Sequence, residues 1–168
     1  LGPWQPLAHA AWPTAIDALL AVGGLWSSSP PLTSLFARTV EPAAAALAAG
    51  RRNSADLNVM EEALGAMEQH TLASEAGRAA DRDFHTAILR ATRNDALIVL
   101  SSSIGAAVNW TTQFKQRALP LPRNPIPDHR CVFDAIAAGD PEAARAAMMA
   151  LVDLALDDTS RSLDSDPA

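Results

Sequence analysis

Apolar residues recur along most of the chain at steps of three and four positions, which is the spacing of one face of an α-helix. The clearest example is the stripe formed by Leu57, Met60, Leu64 and Met67. Runs of valine and isoleucine, which strands favour, are absent. The pattern predicts an all-α protein, an antiparallel bundle of about seven helices without a sheet. The predicted helices cover residues 13–22, 32–49, 54–70, 79–91, 95–117, 127–138 and 141–158.

Residues with strong preferences at helix ends mark several of the predicted boundaries. Ser54, Asn94 and Asp140 are predicted N-caps, because their side chains can accept a hydrogen bond from the first turn of the helix that follows. Gly139 is a predicted C-cap, since glycine adopts the left-handed backbone found there. Pro42 falls inside the second helix and predicts either a kink or a break between two helices.

Three regions of the chain differ in composition. Residues 1–31 are rich in proline and tryptophan and are predicted to form an irregular arm with one short helix. Residues 32–158 carry the predicted bundle, with a polar linker expected at 71–78. Residues 159–168 are polar and are expected to form a frayed tail. The chain is therefore predicted to hold one domain with two peripheral segments.

The composition limits the classes of function. The 168 residues suffice for one domain with a hydrophobic core. The net charge of −6 and the single lysine, Lys115, argue against direct nucleic-acid binding, which needs clustered basic residues. Cys131 is the only cysteine, so neither an internal disulfide nor a cysteine-based zinc site can form. With no apolar run long enough to span a membrane and no signal peptide, the expected location is the cytoplasm.

The candidate chemistry centres on Asp81 and His85, which lie four residues apart. This spacing puts a carboxylate and an imidazole on one face of a helix. Phe84, next to His85, can bury the same flank of that helix. Taken without further information, Asp81, His85 and the more distant His129 indicate a hydrogen-bonded polar cluster inside a bundle, with no ligand.

Three segments, in this order and spacing, resemble one protein family. The first is RTVEPAAAALAA at 38–49, and the second combines DRDFH at 81–85 with ATRN at 91–94. The third begins at His129 and continues with AIAAGD and AARAAM at 135–148. Together they resemble the C-terminal FCD ligand-binding domain of the FadR subfamily of GntR-type transcriptional regulators. The resemblance covers the predicted bundle and implies the all-helical fold that the apolar pattern predicts independently.

The resemblance implies a sensor that holds a small organic acid, a carboxylate effector, in a cavity at the centre of the bundle. Many members bind a divalent metal through one aspartate and three histidines, which suits zinc, nickel or manganese. Asp81, His85 and His129 match three of these positions, and Leu151 stands where the fourth ligand is expected. Three protein ligands can still hold a metal, and some members bind their effector without one, so both states remain open.

The same resemblance adds two effector-binding candidates and two partners. A family arginine that points into the cavity falls at Ala37 here, so Arg38 is the nearest substitute, turned by about 100°. Asn94, besides its predicted role as a helix cap, is a candidate for lining the cavity. The resemblance also implies a homodimer attached to a winged helix-turn-helix. The residues ahead of Leu32 are too few and too poor in basic side chains for that domain, so DNA binding is expected only through a domain not in this chain.

Two other functions stay open from the sequence. A metal-dependent hydrolase or lyase would use the Asp81, His85 and His129 set to activate water. Its spare carboxylate would be Asp83, which points away from Asp81 on a helix. A structural dimerisation module would need no ligand. Because the chain shows no nucleophile, no glycine-rich phosphate loop and no paired carboxylates on one face, no catalytic residue is assigned and the sensor is the preferred function.

Overall fold

The computed structural model describes residues 30–101 and 123–164, with side chains described for 37–101 and 123–158. The predicted helix at 13–22 and most of the one at 95–117 lie outside these ranges. Within them the protein is all-α, as predicted, and no described residue belongs to a strand. The described residues form six helices: α1 (Pro30–Arg51), α2 (Ser54–His70), α3 (Glu75–Ala91), α4 (Asp95–Ile98), α5 (Ile126–Ala138) and α6 (Pro141–Asp164).

The long helices pack in pairs around a shared core. The most extensive packing joins α1 to α6 and α2 to α3, while α5 lies mainly against α6. Helix α1 also contacts α3 and α5, so it packs against three of the other long helices. The core is filled by fully buried side chains from α2, α3, α5 and α6, the largest being Phe84, Met60, Leu64, Met67, Ile88, Leu89, Ile136 and Met148.

Helix α1 continues through Pro42 as one helix, which decides between the two interpretations that the sequence left open. After the proline, α1 is almost entirely small residues, and Ala44, Ala45, Ala48 and Ala49 are fully buried. An alanine side chain is a single methyl group, so neighbouring helices can pack closely against this part of α1 without leaving voids. The alanine face thus lets α1 contact three helices at once.

Side-chain caps fix most helix starts. Asn53 caps α2 through a reciprocal capping box, so the predicted cap at Ser54 is wrong by one residue. Asn94 accepts a hydrogen bond from the backbone of α4, and Asp140 accepts two from the first turn of α6, as predicted. Gly139 ends α5 with a left-handed backbone (φ 73°), which confirms the predicted C-cap.

Helix α3 begins inside the segment that was expected to be a linker, 71–78. Ser74 caps it by accepting a hydrogen bond from the backbone N–H of Gly77. A β-carbon on Gly77 would lie only 1.8 Å from the carbonyl oxygen of Thr71, so this close approach requires glycine. The small, polar composition of the segment therefore reflects a tight connection between α2 and α3 and not an extended linker.

Helix α4 ends at Ile98, where a turn at Val99 and Leu100 interrupts the helix predicted for 95–117. The backbone N–H of Leu100 donates to the carbonyl of Leu97, an i−3 bond that tightens this turn. Ser101 is again helical, and the rest of the predicted helix lies outside the described residues.

Two consecutive arginines at the C-terminal end of α1 tie three helices together. Arg51 donates to the carbonyl of Thr92 (2.7 Å), just beyond the end of α3. Arg52 donates to the carbonyl of Ala137 (2.9 Å) in the last turn of α5. The last carbonyls of a helix have no partner within it, and cationic donors there also offset the negative end of the helix dipole. We call Arg51 and Arg52 the arginine hub.

Helix α6 runs to Asp164, beyond its predicted end at Asp158. The guanidinium of Arg123, ahead of α5, donates to the buried Asp158 at 3.0 Å and also pairs with Asp128 in the first turn of α5. This ion pair anchors the late part of α6 to the bundle. None of the helices in the described ranges combines the length and hydropathy needed to cross a bilayer.

Candidate metal and effector site

Helix α3 presents Asp81 and His85 to the interior of the bundle. The two side chains lie one turn apart, as their spacing predicts, and both are buried, with relative exposures of 3% and 7%. The Nε2 atom of His85 lies 3.7 Å from Oδ1 of Asp81. The two polar groups therefore face each other inside the core and not on the helix surface.

Helix α5 brings His129 to the same carboxylate. Its Nε2 atom lies 2.9 Å from Oδ1 of Asp81. Its Nδ1 atom lies 2.9 Å from the backbone carbonyl of Pro125, which can only accept a hydrogen bond, so Nδ1 carries a proton. The ring is thus held with Nε2 towards Asp81, and residues 48 positions apart in sequence meet at one point.

One ligand atom from each of these three side chains can be chosen so that all lie within 4.8 Å of one another. The set combines two imidazole nitrogens with a carboxylate oxygen. Nitrogen and oxygen donors of this kind bind zinc and other first-row divalent metals, and three protein ligands leave a coordination position for a further ligand. The donor set and its spacing fit a divalent ion.

Phe84 forms a wall of this cluster. Its ring is fully buried and meets the rings of His85 and His129 edge to face, at centroid distances of 5.9 and 5.4 Å. An aromatic ring in this position excludes water from one side of the two imidazoles and limits their rotation. The sequence predicts that Phe84 buries this flank of α3, and the structure places its ring there.

Glu41 is a fourth polar residue at the site, and sequence reasoning missed its role. It reaches across from α1, is buried, and its Oε2 directly contacts Nδ1 of His85. Neither atom has a partner other than its neighbour in the described part of the chain. The available signal was that Glu41 is the only acidic residue in the sequence of helix α1 and precedes a run of small apolar residues.

The environment of His85 sets its protonation state. Burial by itself lowers the pKa of this imidazole. The charge and hydrogen bonding of Glu41, with a further contribution from the charge of Asp81, outweigh burial and raise the pKa from 6.5 to about 9. In the absence of another cation, His85 is therefore protonated at neutral pH and carries a positive charge between the carboxyl groups of Glu41 and Asp81.

Leu151, the position expected for a fourth ligand, is a buried core residue of α6. Met148, one turn earlier on α6, lines a narrow gap beside His85 together with Glu41. That gap, also lined by Ala44, leaves no room for a water molecule. Helix α6 thus contributes apolar side chains to this side of the site.

The structure does not bring the two other effector-binding candidates into the cluster. Arg38 is 55% exposed and pairs with Asp153 at 3.0 Å, while Ala37 is the residue that packs against the core. The one-position shift from the family arginine therefore turns this side chain outwards. Asn94 uses its side chain to cap α4, the first of the two roles considered for it.

The comparisons with known proteins agree with this fold. The FCD domain family matches residues 36–154. The chain is 36% identical over 116 residues to the galactonate operon transcriptional repressor of Escherichia coli K12, and 29% identical over 118 residues to the HTH-type transcriptional regulator LutR of Bacillus subtilis 168. Each alignment spans 67% of this chain but only 50% and 54% of those proteins, so the chain spans about half the length of these curated relatives.

A solved structure agrees as well. Streptococcus agalactiae GntR superposes with a TM-score of 0.61 at 22% identity, over 74% of this chain and 58% of that one, which supports the fold. The family match covers most of the bundle, including Glu41 and all three residues of the buried cluster. The chain therefore belongs to the FCD domain family, the effector-binding regulatory domain of GntR-type transcriptional regulators.

Proposed function

We propose that this domain senses a small organic acid through a divalent metal ion held by Asp81, His85 and His129. The observation that carries the proposal is the buried cluster itself, in which both histidines turn Nε2 towards one carboxylate. Buried titratable groups from separate helices are costly unless they are paired or bind an ion. A metal at this point would offset the charges of Asp81 and Glu41.

The metal would supply a positive centre inside an otherwise apolar bundle. With three protein ligands, it keeps positions for an outside donor, and the carboxylate of an organic acid is an oxygen donor of the required charge. His85 and His129 would bind as neutral rings through Nε2, while Asp81 would contribute the negative charge. Phe84 would keep solvent from competing on its side of the cluster.

The class of effector that we propose is a hydroxylated carboxylate such as a sugar acid. Support comes from the relative whose name refers to the galactonate operon. The proposed metal ion would bind the carboxylate of such a molecule. The hydroxyl groups of such a molecule would need polar partners beyond these three ligands.

For the whole protein we propose the general scheme of its relatives, which are named as transcriptional regulators. Effector binding here would change the DNA affinity of an attached helix-turn-helix domain in a cytoplasmic homodimer. The enzyme alternative has no observation in its favour. Its spare carboxylate, Asp83, is exposed and lines a surface groove between α2 and α3 together with Arg90, on the side of α3 away from Asp81.

Metal content and carboxylate binding test the proposal directly. We expect the purified protein to contain or take up one zinc, nickel or manganese ion per chain, and Asp81→Asn to lose it. Calorimetry with galactonate, gluconate and lactate should give binding only to the metal-loaded wild type, with galactitol as the uncharged control. A wild-type protein that takes up no divalent ion, or that binds the acids equally well without one, would show that the proposal is wrong.

A further inference from the structure

The role of Glu41 goes beyond the ligand set of the proposed site and rests on that proposed function. Glu41 is the one acidic residue of α1, is 5% exposed and makes its polar contact with Nδ1 of His85 through Oε2. We propose that Glu41 is a positioning residue that fixes the His85 ring with Nε2 directed at the Asp81 carboxylate, ready for a metal ion.

The chemistry of the contact determines which ring atom is available. An ionised carboxylate accepts hydrogen bonds and donates none, so Nδ1 of His85 carries the proton that bonds to Glu41. The other ring nitrogen, Nε2, is the one that lies 3.7 Å from Asp81. Rotation of the ring by half a turn would leave Glu41 facing a carbon atom, and the buried carboxylate would lose its partner. Glu41 therefore selects one orientation of the ring.

His129 supports this interpretation, because its ring is held in the same way, although its acceptor is a backbone carbonyl and not a side chain. Nδ1 of His129 donates to the backbone carbonyl of Pro125, and its Nε2 faces the same oxygen of Asp81. Both rings are thus held at Nδ1 by an oxygen acceptor and turned with Nε2 to a common point. Outer acceptors of this kind are what orient metal-binding histidines and raise their basicity.

The acceptors for the two histidines differ in kind. Pro125 is the N-cap residue of α5, and its carbonyl, which also accepts from the backbone N–H groups of Asp128 and His129, lies 2.9 Å from Nδ1 of His129. For His85 the acceptor is the side chain of Glu41, which reaches across from α1. Each acceptor lies outside the Asp81, His85 and His129 set, which is the relation expected of a group that positions a metal-binding histidine.

A purely structural role, an ion pair that joins α1 to α3, makes a different prediction, and a cobalt titration separates the two. We expect Glu41→Leu, which removes the acceptor, to weaken Co²⁺ binding by roughly 10–100-fold. Glu41→Gln keeps an oxygen acceptor at the same place and should recover most of that loss. The visible absorption of bound Co²⁺, which reports ligand geometry, should change in the leucine variant and stay near that of the wild type in the glutamine variant.

Met60→Ala is the matched control, because it creates a cavity in the core on α2, a helix that contributes no residue to the cluster. It should lower stability without changing Co²⁺ affinity or absorption. If Glu41→Leu binds Co²⁺ as tightly as the wild type with the same spectrum, or if Met60→Ala weakens binding equally, the positioning role is wrong while the metal site stands. If the wild type itself binds no Co²⁺, both the proposed function and this inference are wrong.

Discussion

His85 is held between two buried carboxylates from different helices, and this placement governs its charge. Glu41 on α1 contacts one ring nitrogen and Asp81 on α3 faces the other. A metal ion at Nε2 and a proton at Nε2 are mutually exclusive, so the raised pKa of His85 means that a proton and a metal compete for this atom. The cluster therefore holds a positive charge in either state, supplied by a proton on His85 or by a metal ion.

The stability of the metal-free protein should fall as the pH rises from about 6.5 to about 9. The folded pKa of His85 is raised to about 9 from an ordinary 6.5, so in this range the folded state holds a proton that the unfolded state has lost. The contribution is fully present below pH 6.5 and is lost as the pH passes 9. Urea denaturation of chelator-treated protein at several pH values measures it.

The control for this measurement is His85→Asn, which cannot titrate in the same range. We expect its free energy of unfolding to vary less with pH than that of the wild type. An equal pH dependence in the two proteins would assign the effect to other groups. Zinc-loaded wild type should also lose the dependence, because the metal then occupies the position of the proton.

Replacing Leu151 with histidine should supply the fourth metal ligand that the family resemblance implies at this position. We expect Leu151→His to raise zinc affinity at least about tenfold, since one more neutral nitrogen donor would join the site. Met148→His is the matched control, because Met148 lines the gap on the Glu41 side of His85, where Nδ1 is already engaged. Competition titration with a chromophoric chelator distinguishes them, and a gain in Met148→His alone would place α6 in a different register against the site.

At the scale of elements, the turn between α2 and α3 illustrates what a local pattern can and cannot predict. The helices themselves follow from apolar spacing and caps, which are local, and each predicted helix within the described ranges has a counterpart there. The early start of α3 was missed, because it depends on the approach of Gly77 to the Thr71 carbonyl. Glu41 was missed as a site residue because its partner, His85, lies on another helix, and local spacing does not show which helices meet.

Two glycines in neighbouring helices should respond to alanine in opposite ways. Gly77→Ala should destabilise the protein by roughly 1–3 kcal/mol, because the new methyl group would meet the backbone of Thr71 at 1.8 Å. Gly65→Ala should stabilise it by about 0.5–1 kcal/mol, since Gly65 is exposed within α2 and a β-carbon there meets nothing within 4 Å. Denaturant unfolding of both variants provides the comparison, and effects of equal sign would contradict the described approach.

At the scale of the whole molecule, the site is a junction of helices that are far apart in sequence. Glu41 comes from α1, Asp81 and His85 from α3, and His129 from α5. The family resemblance identified three of these four residues from sequence motifs. The apolar pattern alone indicated only a polar cluster, since it does not show which helix faces meet. Binding at this point would hold three helices together.

Metal removal should therefore lower the stability of the entire domain. A ligand that binds only the folded state stabilises it by about 2.7 kcal/mol at a free concentration one hundred times its dissociation constant. We expect thermal unfolding of wild type to shift upwards with added zinc and back with a chelator. Asp81→Asn should show neither shift, and an equal response in that variant would point to binding elsewhere on the protein.

The arginine hub has a consequence for motion. Arg51 and Arg52 fasten the ends of α3 and α5 to α1, so a displacement of α3 against α5 is expected to swing about that end as a pivot. Asp81 lies ten residues before the end of α3, a lever arm of about 15 Å at 1.5 Å per residue. A tilt of about 4° would then move the Asp81 carboxylate by about 1 Å, with larger displacements towards the N-terminal end of α3.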